Sequence, residues 1–248
     1  MTDPRIHERR VLVAREKGRR RRRLLTGVAV LVALAGGGLA LVHSSLFGAR
    51  HVEITGSAHV ARPEVVAVAG LEGAPPLVDL SPAAIARRLE RLPWVETASV
   101  SLSWPTTVRI AIVPRTPVAA LRAGAGWAVV DPTGRVLEDV ASRPSSLPVV
   151  STGGAAVPPP GDSLPPSVAA LARVAAVMPE SMVPEVSAVT LGRGGIVLQL
   201  ANRMRALLGN TSLLQDKFVA LKTVLVRADL SGISVIDLRV PSAPVLLR

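Results

Sequence analysis

The longest apolar stretch of the chain runs from Leu24 to Val42, nineteen residues without a charged side chain. At a rise of about 1.5 Å per residue, a helix of this length spans close to the roughly 30 Å hydrocarbon core of a bilayer. A buried core helix of the same length usually carries a polar stripe, and none is present. The pattern therefore predicts a transmembrane helix.

Charge on the two sides of this run predicts its orientation. Arg19 to Arg23 precede it directly, whereas the opposite flank offers only His43, Arg50 and His51. The positive-inside rule places the N-terminus in the cytoplasm and the rest of the chain outside. A nucleic-acid-binding tail and a cleaved export signal are the alternatives. The run exceeds the usual apolar core of a signal peptide, about 7 to 15 residues, and no clear small-x-small cleavage site follows it.

Residues 51–117 show the pattern of a strand, two helices and two strands. Ser81-Pro82 is a strong helix start, because the serine oxygen can cap free N–H groups and proline suits the first helical position. Alternating apolar and polar residues predict the strands, and Trp104-Pro105 turns the last two into a hairpin. The predicted elements are a strand at 51–54, a helix from Pro63 to Gly70, a helix from Pro82 to Pro93, and strands at 97–104 and 108–112.

Residues 118–240 predict a second, mainly β unit. Ser212 and Gln215 have the spacing of a capping box, and Leu214, Phe218, Leu221 and Leu225 follow at helical spacing, so one face of this helix is expected to be buried. The predicted strands are 118–122, 127–130, 136–137, 147–150, 186–191, 195–200, 203–208 and 233–240, with helices at 168–178 and after Ser212 and a Ser, Gly and Pro-rich surface loop at 142–166.

Composition argues against several function classes. The net charge of +11 is concentrated in residues 1–23, where ten basic and three acidic side chains give +7, so the other 225 residues carry only +4. With aromatic residues at 2%, these residues lack the charge and stacking surfaces of a nucleic-acid binder. The absence of cysteine excludes disulfides and thiolate metal sites.

Candidate catalytic chemistry is sparse. His51, Glu53 and His59 make at best a weak metal constellation, because their spacing fits neither a helical nor a compact loop site. Glu138 and Asp139 are adjacent on a predicted strand and so point to opposite faces. We therefore predict no catalytic, cofactor-binding or metal-binding residue. Trp94 and Trp104 each lie beside a proline at a strand end, which favours a packing role over a partner contact.

Four short motifs in the first unit resemble the POTRA domain of the FtsQ/DivIB family of bacterial division proteins. They are FGARHVEITG at 47–56, LPWV at 92–95, SLSWP at 101–105 and IVPRTPVA at 112–119, and ISVIDLRVP at 233–241 resembles the closing strand of the family's β domain. The residues that carry the POTRA motifs are Gly56, Trp94, Val95, Trp104, Pro105, Arg115 and Pro117.

The resemblance implies an α+β fold with a single N-terminal transmembrane helix. The implied divisions are a cytoplasmic tail at 1–23, the helix at 24–42, a linker at 43–50, a POTRA domain at 51–117, a β domain at 118–240 and a tail at 241–248. It further implies a non-enzymatic divisome protein without a cofactor, nucleic acid or small-molecule substrate. Such a protein joins FtsB/DivIC and FtsL at the septum from an extracytoplasmic position.

For the binding site, a sheet edge that accepts a strand from the partner is the general mode open to such a protein. We expect Ile233 to Val240 to form this edge, with Pro241 and Pro244 limiting the ladder. The resemblance implies contacts at the last helix and the last strand, and the contact residues that it implies are Phe218, Lys222, Leu225, Ile233, Val235, Ile236, Asp237, Leu238, Arg239 and Val240. A POTRA-bearing export factor and an anchored envelope hydrolase are the alternatives from other classes.

Overall fold

A computed structural model describes residues 24–44 and 47–248 of the chain. Its first element is helix α1, Leu24–Val42, whose side chains are exposed and whose length and composition are those of a membrane-spanning helix. This matches the predicted span. The predicted basic tail at 1–23 lies outside the described residues.

The first folded unit has the order β-α-α-β-β, as predicted. Its strand β3 is central, pairing in parallel with β1 and antiparallel with β2. The elements are β1 His51–Thr55, α2 Arg62–Ala69, a 3-10 turn at Leu77–Asp79, α3 Pro82–Leu89, β2 Val95–Ser103 and β3 Thr107–Pro114.

Local signals explain the two helices of this unit. The Ser81 side chain accepts a hydrogen bond from the Ala84 backbone N–H, which is the predicted N-cap of α3. Gly70 ends α2 in the left-handed region, with φ of 71°. The helices bury Val65, Ile85 and Leu89 against the inner face of the sheet, so this unit has its own aliphatic core.

The second unit is built on a nine-stranded sheet within the described residues. The strand order is β12-β11-β10-β9-β8-β7-β4-β5-β6, and most neighbours are antiparallel. The strands are β4 Ala119–Ala123, β5 Gly126–Val130, β6 Val136–Val140, β7 Val149–Val150, β8 Val186–Gly192, β9 Gly195–Leu200, β10 Arg205–Gly209, β11 Val235–Asp237 and β12 Val245–Leu247.

Helices α4 (Pro166–Ala176) and α5 (Leu214–Arg227) cover this sheet and complete a core that contains Leu171, Leu198 and Phe218. The predicted capping box of α5 does not form. Leu213 occupies the N-cap position with φ of 52° and makes no side-chain cap. The Ser212 hydroxyl instead donates to Asn210 Oδ1. The serine side chain is therefore engaged in the local turn and does not cap the helix.

The prediction that 233–240 is an edge strand is wrong in two respects. β11 contains only Val235–Asp237, and it has a neighbour on each side, β10 in parallel and β12 antiparallel. The ladder stops because Arg239 turns back on Asp237, its backbone N–H donating to Asp237 Oδ1 at 3.0 Å. The chain then returns as Val245–Leu247, which therefore forms this edge of the sheet.

Candidate functional site

The edge strand β12 is the first part of the candidate site. It is the outermost strand at this end of the sheet within the described residues, so its outer side is open to an added strand. Val245 and Leu247 are 51% and 46% exposed, while Leu246 packs against the core. Leu246 thus anchors the strand to the core, and Val245 and Leu247 expose apolar side chains to solvent.

An apolar groove lies beside this edge, between α5 and the segment that follows β11. Its volume is about 760 Å³. Val219 on α5 is 66% exposed and Val240 on the opposite wall is 58% exposed, so both side chains are available to a partner. The other apolar lining residues include Leu213, Val224, Pro241 and Pro244.

The predicted contact residues divide by burial. Four of them are buried in the core beneath the site and stabilise it: Phe218, Val235, Ile236 and Leu238. Lys222, Arg239 and Val240 are exposed, and Leu225, Ile233 and Asp237 are half-buried. Lys222 and Leu225 line a separate cavity of about 330 Å³ and not the groove.

Sequence reasoning missed the exposed face of α5. Val219 and Val226 are 66% and 76% exposed and lie seven residues apart, so they share a helix face that the core does not use. That spacing was visible in the sequence as a second apolar repeat beside Leu214, Phe218, Leu221 and Leu225. Val245 and Leu247 gave no comparable signal.

Asp216 and Arg239 are the charged residues that line the groove, and the charge of Arg239 is compensated by Asp237. Arg239 Nη2 lies 2.6 Å from Asp237 Oδ2. The Arg239 hydrogen bond lowers the pKa of the Asp237 carboxyl below its ordinary value, against the opposing effect of burial, and the same pair raises the pKa of Arg239. The pair therefore stays ionised at neutral pH, and the groove remains mainly apolar.

A buried lysine supports the start of α5. Lys217 is 1% exposed, and its Nζ donates to Leu208 O at 2.8 Å, Asn210 O at 3.1 Å and Asn210 Oδ1 at 3.0 Å. These bonds use all three ammonium donors without a carboxylate partner. Burial lowers the pKa of Lys217 below its ordinary value. The lysine fastens the end of β10 to the helix that forms one wall of the groove.

Arg115, a predicted POTRA residue, joins the two folded units. Its Nη1 donates to Asp131 Oδ2 at 2.6 Å and its Nε donates to Val95 O at 3.1 Å. Asp131 is 2% exposed and also accepts from Thr133 and from the Arg135 backbone N–H. Burial would raise the pKa of Asp131, but these hydrogen bonds outweigh it and hold the pKa below its ordinary value.

The other POTRA motif residues have mainly structural positions. Gly56 ends β1 with φ of 78°, where a Cβ would overlap the Ile112 carbonyl oxygen. Trp94 stacks on His59 with ring centroids 4.0 Å apart, in agreement with a packing role. Trp104 differs, because 55% of it is exposed and its ring meets Phe47 edge-on. Val95 is fully buried, Pro105 lies exposed in the hairpin turn, and Pro117 is half-buried in the connection between the units.

The weak metal constellation does not assemble in the described residues. No group of three or more His, Cys, Asp or Glu side chains there could hold a metal. Glu53 pairs with Arg109 at 2.7 Å, His51 Nδ1 lies 3.3 Å from Thr106 Oγ1, and His59 stacks on an indole ring. The geometry instead offers a sheet edge and a groove.

Comparison with family models divides the chain in the same way. Residues 47–115 match the model of the POTRA domain, FtsQ-type. Residues 119–239 match the model of the cell division protein FtsQ/DivIB, C-terminal. These matches include all predicted POTRA residues except Pro117 and all predicted contact residues except Val240.

Several curated proteins are similar to parts of the chain. The cell division protein FtsQ of Mycobacterium tuberculosis (strain ATCC 25618 / H37Rv) is 31% identical over 206 residues, 82% of this chain and 62% of its own length. FtsQ of Streptomyces collinus is 33% identical over 140 residues, 55% of this chain and 53% of its own. FtsQ of Zymomonas mobilis subsp. mobilis is 40% identical over 112 residues, 44% of this chain and 35% of its own. The chain thus spans about a third to three-fifths of the length of these relatives.

One solved structure is also similar, the major extracytoplasmic domain of the cell division protein DivIB from Geobacillus stearothermophilus. It is 16% identical, with a TM-score of 0.28, and the match covers 37% of this chain and 75% of that chain. This likeness is too distant to support an argument about the fold.

Proposed function

The chain belongs to the FtsQ/DivIB family of cell division proteins, and we propose that it is a non-enzymatic, membrane-anchored assembly protein of the divisome. In this proposal α1 is a single span with a cytoplasmic N-terminus, and the two folded units lie outside the membrane. The orientation rests on Arg19 to Arg23 before the span and on the positive-inside rule. The protein acts at the septum.

The open edge of β12 carries the proposal for how the protein binds. A bitopic partner of the FtsB/DivIC or FtsL kind contributes an extended segment that pairs with Val245–Leu247, so main-chain hydrogen bonds provide the affinity. Side chains of the same partner enter the groove between α5 and residues 239–244. The groove contains no aromatic residue, so aliphatic packing against Val219 and Val240 replaces an aromatic anchor.

The contact residues follow from exposure. Val240 and Arg239 remain proposed contacts at the groove, joined by Val219, Val245 and Leu247. Lys222 remains a proposed contact outside the groove. Phe218, Val235, Ile236 and Leu238 contribute by holding the two walls in place. A proline at Leu238 is therefore not a clean test of binding, because it would remove the buried Leu238 N–H bond to Leu207 O, 2.9 Å long.

Photo-cross-linking in dividing cells tests the proposal with the full chain. Photoreactive residues at Val245, Leu247 and Val219 are expected to capture an FtsB/DivIC-like protein. Glu138 is the matched control, since it is exposed on β6 at the opposite end of the same sheet. Capture from Glu138 with none from the three sites would refute the proposed edge.

A charge test complements the cross-linking. Lysines on an edge strand oppose strand addition, so V245K with L247K should reduce recruitment of the partner at least about tenfold while E138K leaves recruitment unchanged. Septal localisation of the partner and its co-purification from detergent extracts are the measurements. Equal recruitment by the folded double variant and by E138K would sink the strand-addition mode.

A further inference from the structure

One end of the first sheet faces the membrane-spanning helix. The strand register places His51 at the start of β1, Thr107 at the start of β3 and Ser103 at the end of β2 side by side. The opposite end of the sheet leads through Arg115 to the second unit. The end at 51, 103 and 107 is therefore the one that follows directly from α1.

The linker fastens this end close to the last turn of α1. His43 Nε2, one residue after the helix, lies 3.3 Å from Asp79 Oδ1 in the 3-10 turn. The Ala49 N–H donates to Pro75 O at 2.9 Å, and Ala49 is 3% exposed. Phe47 follows Val42 by five positions in the sequence, a reach of at most about 18 Å. Phe47 thus lies within about 18 Å of the end of the span, and the 3-10 turn contacts the residue that follows the span.

Two of the three most exposed large apolar side chains of the first unit lie at this end. Trp104 continues the apolar face of Ala98, Val100 and Leu102 beyond the end of β2, where the two helices no longer cover it. It is 55% exposed, and its ring contacts Phe47 at a centroid distance of 5.9 Å. Val78, next to the residue that contacts His43, is 44% exposed.

The Trp104 indole has an unused donor. Among the residues that the structure describes, none accepts a hydrogen bond from its Nε1–H, and the ring is open to solvent. Tryptophan is enriched at bilayer interfaces because an apolar ring and one polar N–H suit the boundary between acyl chains and headgroups. A lipid carbonyl or phosphate oxygen would satisfy this donor.

We propose that Trp104, Phe47 and Val78 form a lipid-contact patch that seats the first folded unit on the outer surface of the membrane. The inference rests on the proposed anchoring of α1, because the span is what holds the patch at this height. Lipid is favoured over a protein because the patch adjoins the membrane in every copy of the anchored chain. Contact between the patch and lipid would fix the distance of the β12 edge from the bilayer. A bitopic partner emerges from the same bilayer, so this distance affects whether it reaches the edge.

Single-site spin labels test the patch, because the chain has no cysteine of its own. The two variants are V78C and V113C, labelled with a nitroxide in the full chain and reconstituted in phosphatidylcholine and phosphatidylglycerol vesicles. Val113 is the matched control, since it is 53% exposed near the opposite end of β3. We expect the label at position 78 to be relaxed more by oxygen than by an aqueous nickel complex, and the label at 113 to show the reverse.

Tryptophan quenching provides a second measurement. The pair W94F with W127F leaves Trp104 as the fluorophore, and W94F with W104F leaves Trp127 in the second unit. Lipids brominated near the headgroup should reduce Trp104 emission about twofold and leave Trp127 emission unchanged. Circular dichroism confirms that each variant is folded.

Flotation after an alkaline wash separates the possible failures. Chains that do not float with the vesicles refute the anchor and, with it, the patch. Chains that float but show water-exposed labels at both positions, or an unquenched Trp104, refute the patch and leave the anchor intact. Trp104 emission that changes only when a protein partner is added identifies a protein contact and also overturns the proposal.

Discussion

The D131N substitution at the junction of the two units should destabilise both of them together. Asp131 is 2% exposed and the Arg115 side chain is 15% exposed, so the pair is largely removed from water. In the natural chain, Asp131 Oδ1 accepts from the backbone N–H groups of Thr133 and Arg135 at 2.8 Å and 2.9 Å. The amide oxygen of the variant can still accept these two hydrogen bonds. The amide nitrogen then faces the Arg115 guanidinium. Both groups are hydrogen-bond donors, so the bond is lost.

The expected magnitude follows from what is lost and what is kept. Removing one partner of a buried ion pair costs about 3–5 kcal/mol. Arg115 keeps its bond to Val95 O and some solvent, and Asn keeps two backbone bonds, so we expect about 2 kcal/mol. For a protein of this size that corresponds to a fall in melting temperature of about 4–8 °C.

Denaturant unfolding of the full chain in detergent measures this loss. Trp94 lies in the first unit and Trp127 in the second, so single-tryptophan versions report each unit separately. D237N is the matched control, because Arg239 is 59% exposed and a pair of this kind contributes about 0–1 kcal/mol. A loss in D131N no larger than that in D237N would refute the reasoning, and a loss confined to one tryptophan would refute the joining role of Arg115.

The pH dependence has a definite sign. Because the folded-state pKa of Asp131 lies below its ordinary value of 3.8, the ionised carboxyl is favoured by folding. Its contribution is complete above that ordinary value and is lost as pH falls through the lower folded-state pKa. The stability difference between the natural chain and D131N should therefore be constant near neutral pH and shrink in acid.

Two further predictions concern the buried lysine and one glycine. K217M removes a lysine donor from three acceptors, of which Asn210 Oδ1 keeps its bonds from Ser212, and should lower the free energy of unfolding by about 1–3 kcal/mol. K222M, at an exposed position on the same helix, should change the free energy of unfolding little, and equal effects in urea titrations would contradict this account. G56A should lower the melting temperature more than G73A. Both glycines have a positive φ, but only at Gly56 would a Cβ meet a carbonyl oxygen, that of Ile112; thermal unfolding of the two variants measures the difference.

Much of the first unit follows from local sequence signals. The caps at Ser81 and Gly70, the alternation in β2 and β3, and the turn at Trp104-Pro105 each depend on residues close in the chain. Their strand and helix assignments were therefore predictable. The exposure of Trp104 was not, because it depends on how far two separate helices cover the sheet.

Lys217 shows where local patterns mislead. A lysine beside an apolar helix face is normally solvated, and its partners, Leu208 O and the two oxygens of Asn210, become available only once β10 ends beside α5. The same turn draws the Ser212 hydroxyl to Asn210 and removes the predicted capping box. One tertiary arrangement thus explains the buried lysine and the missing capping box, and the sequence contains no periodic signal for it.

The displaced sheet edge changes the expected binding surface more than any other difference. Alternation across 233–240 predicts Ile236, Leu238 and Val240 on one face. Ile236 and Leu238 do face the core, but Val240 is 58% exposed, because alternation does not tell where a strand ends or whether it has one neighbour or two. A three-residue strand such as Val245–Leu247 is too short to detect by period, and its pairing depends on the turn that Asp237 and Arg239 make.

Because β12 covers β11, a partner strand meets Val245 and Leu247 first, and α5 contributes Val219 from its solvent side. Binding is therefore expected to depend on residues outside the buried face of the helix, so substitutions at Val219 should weaken recruitment without loss of stability, and substitutions at Phe218 should do so only by unfolding the domain.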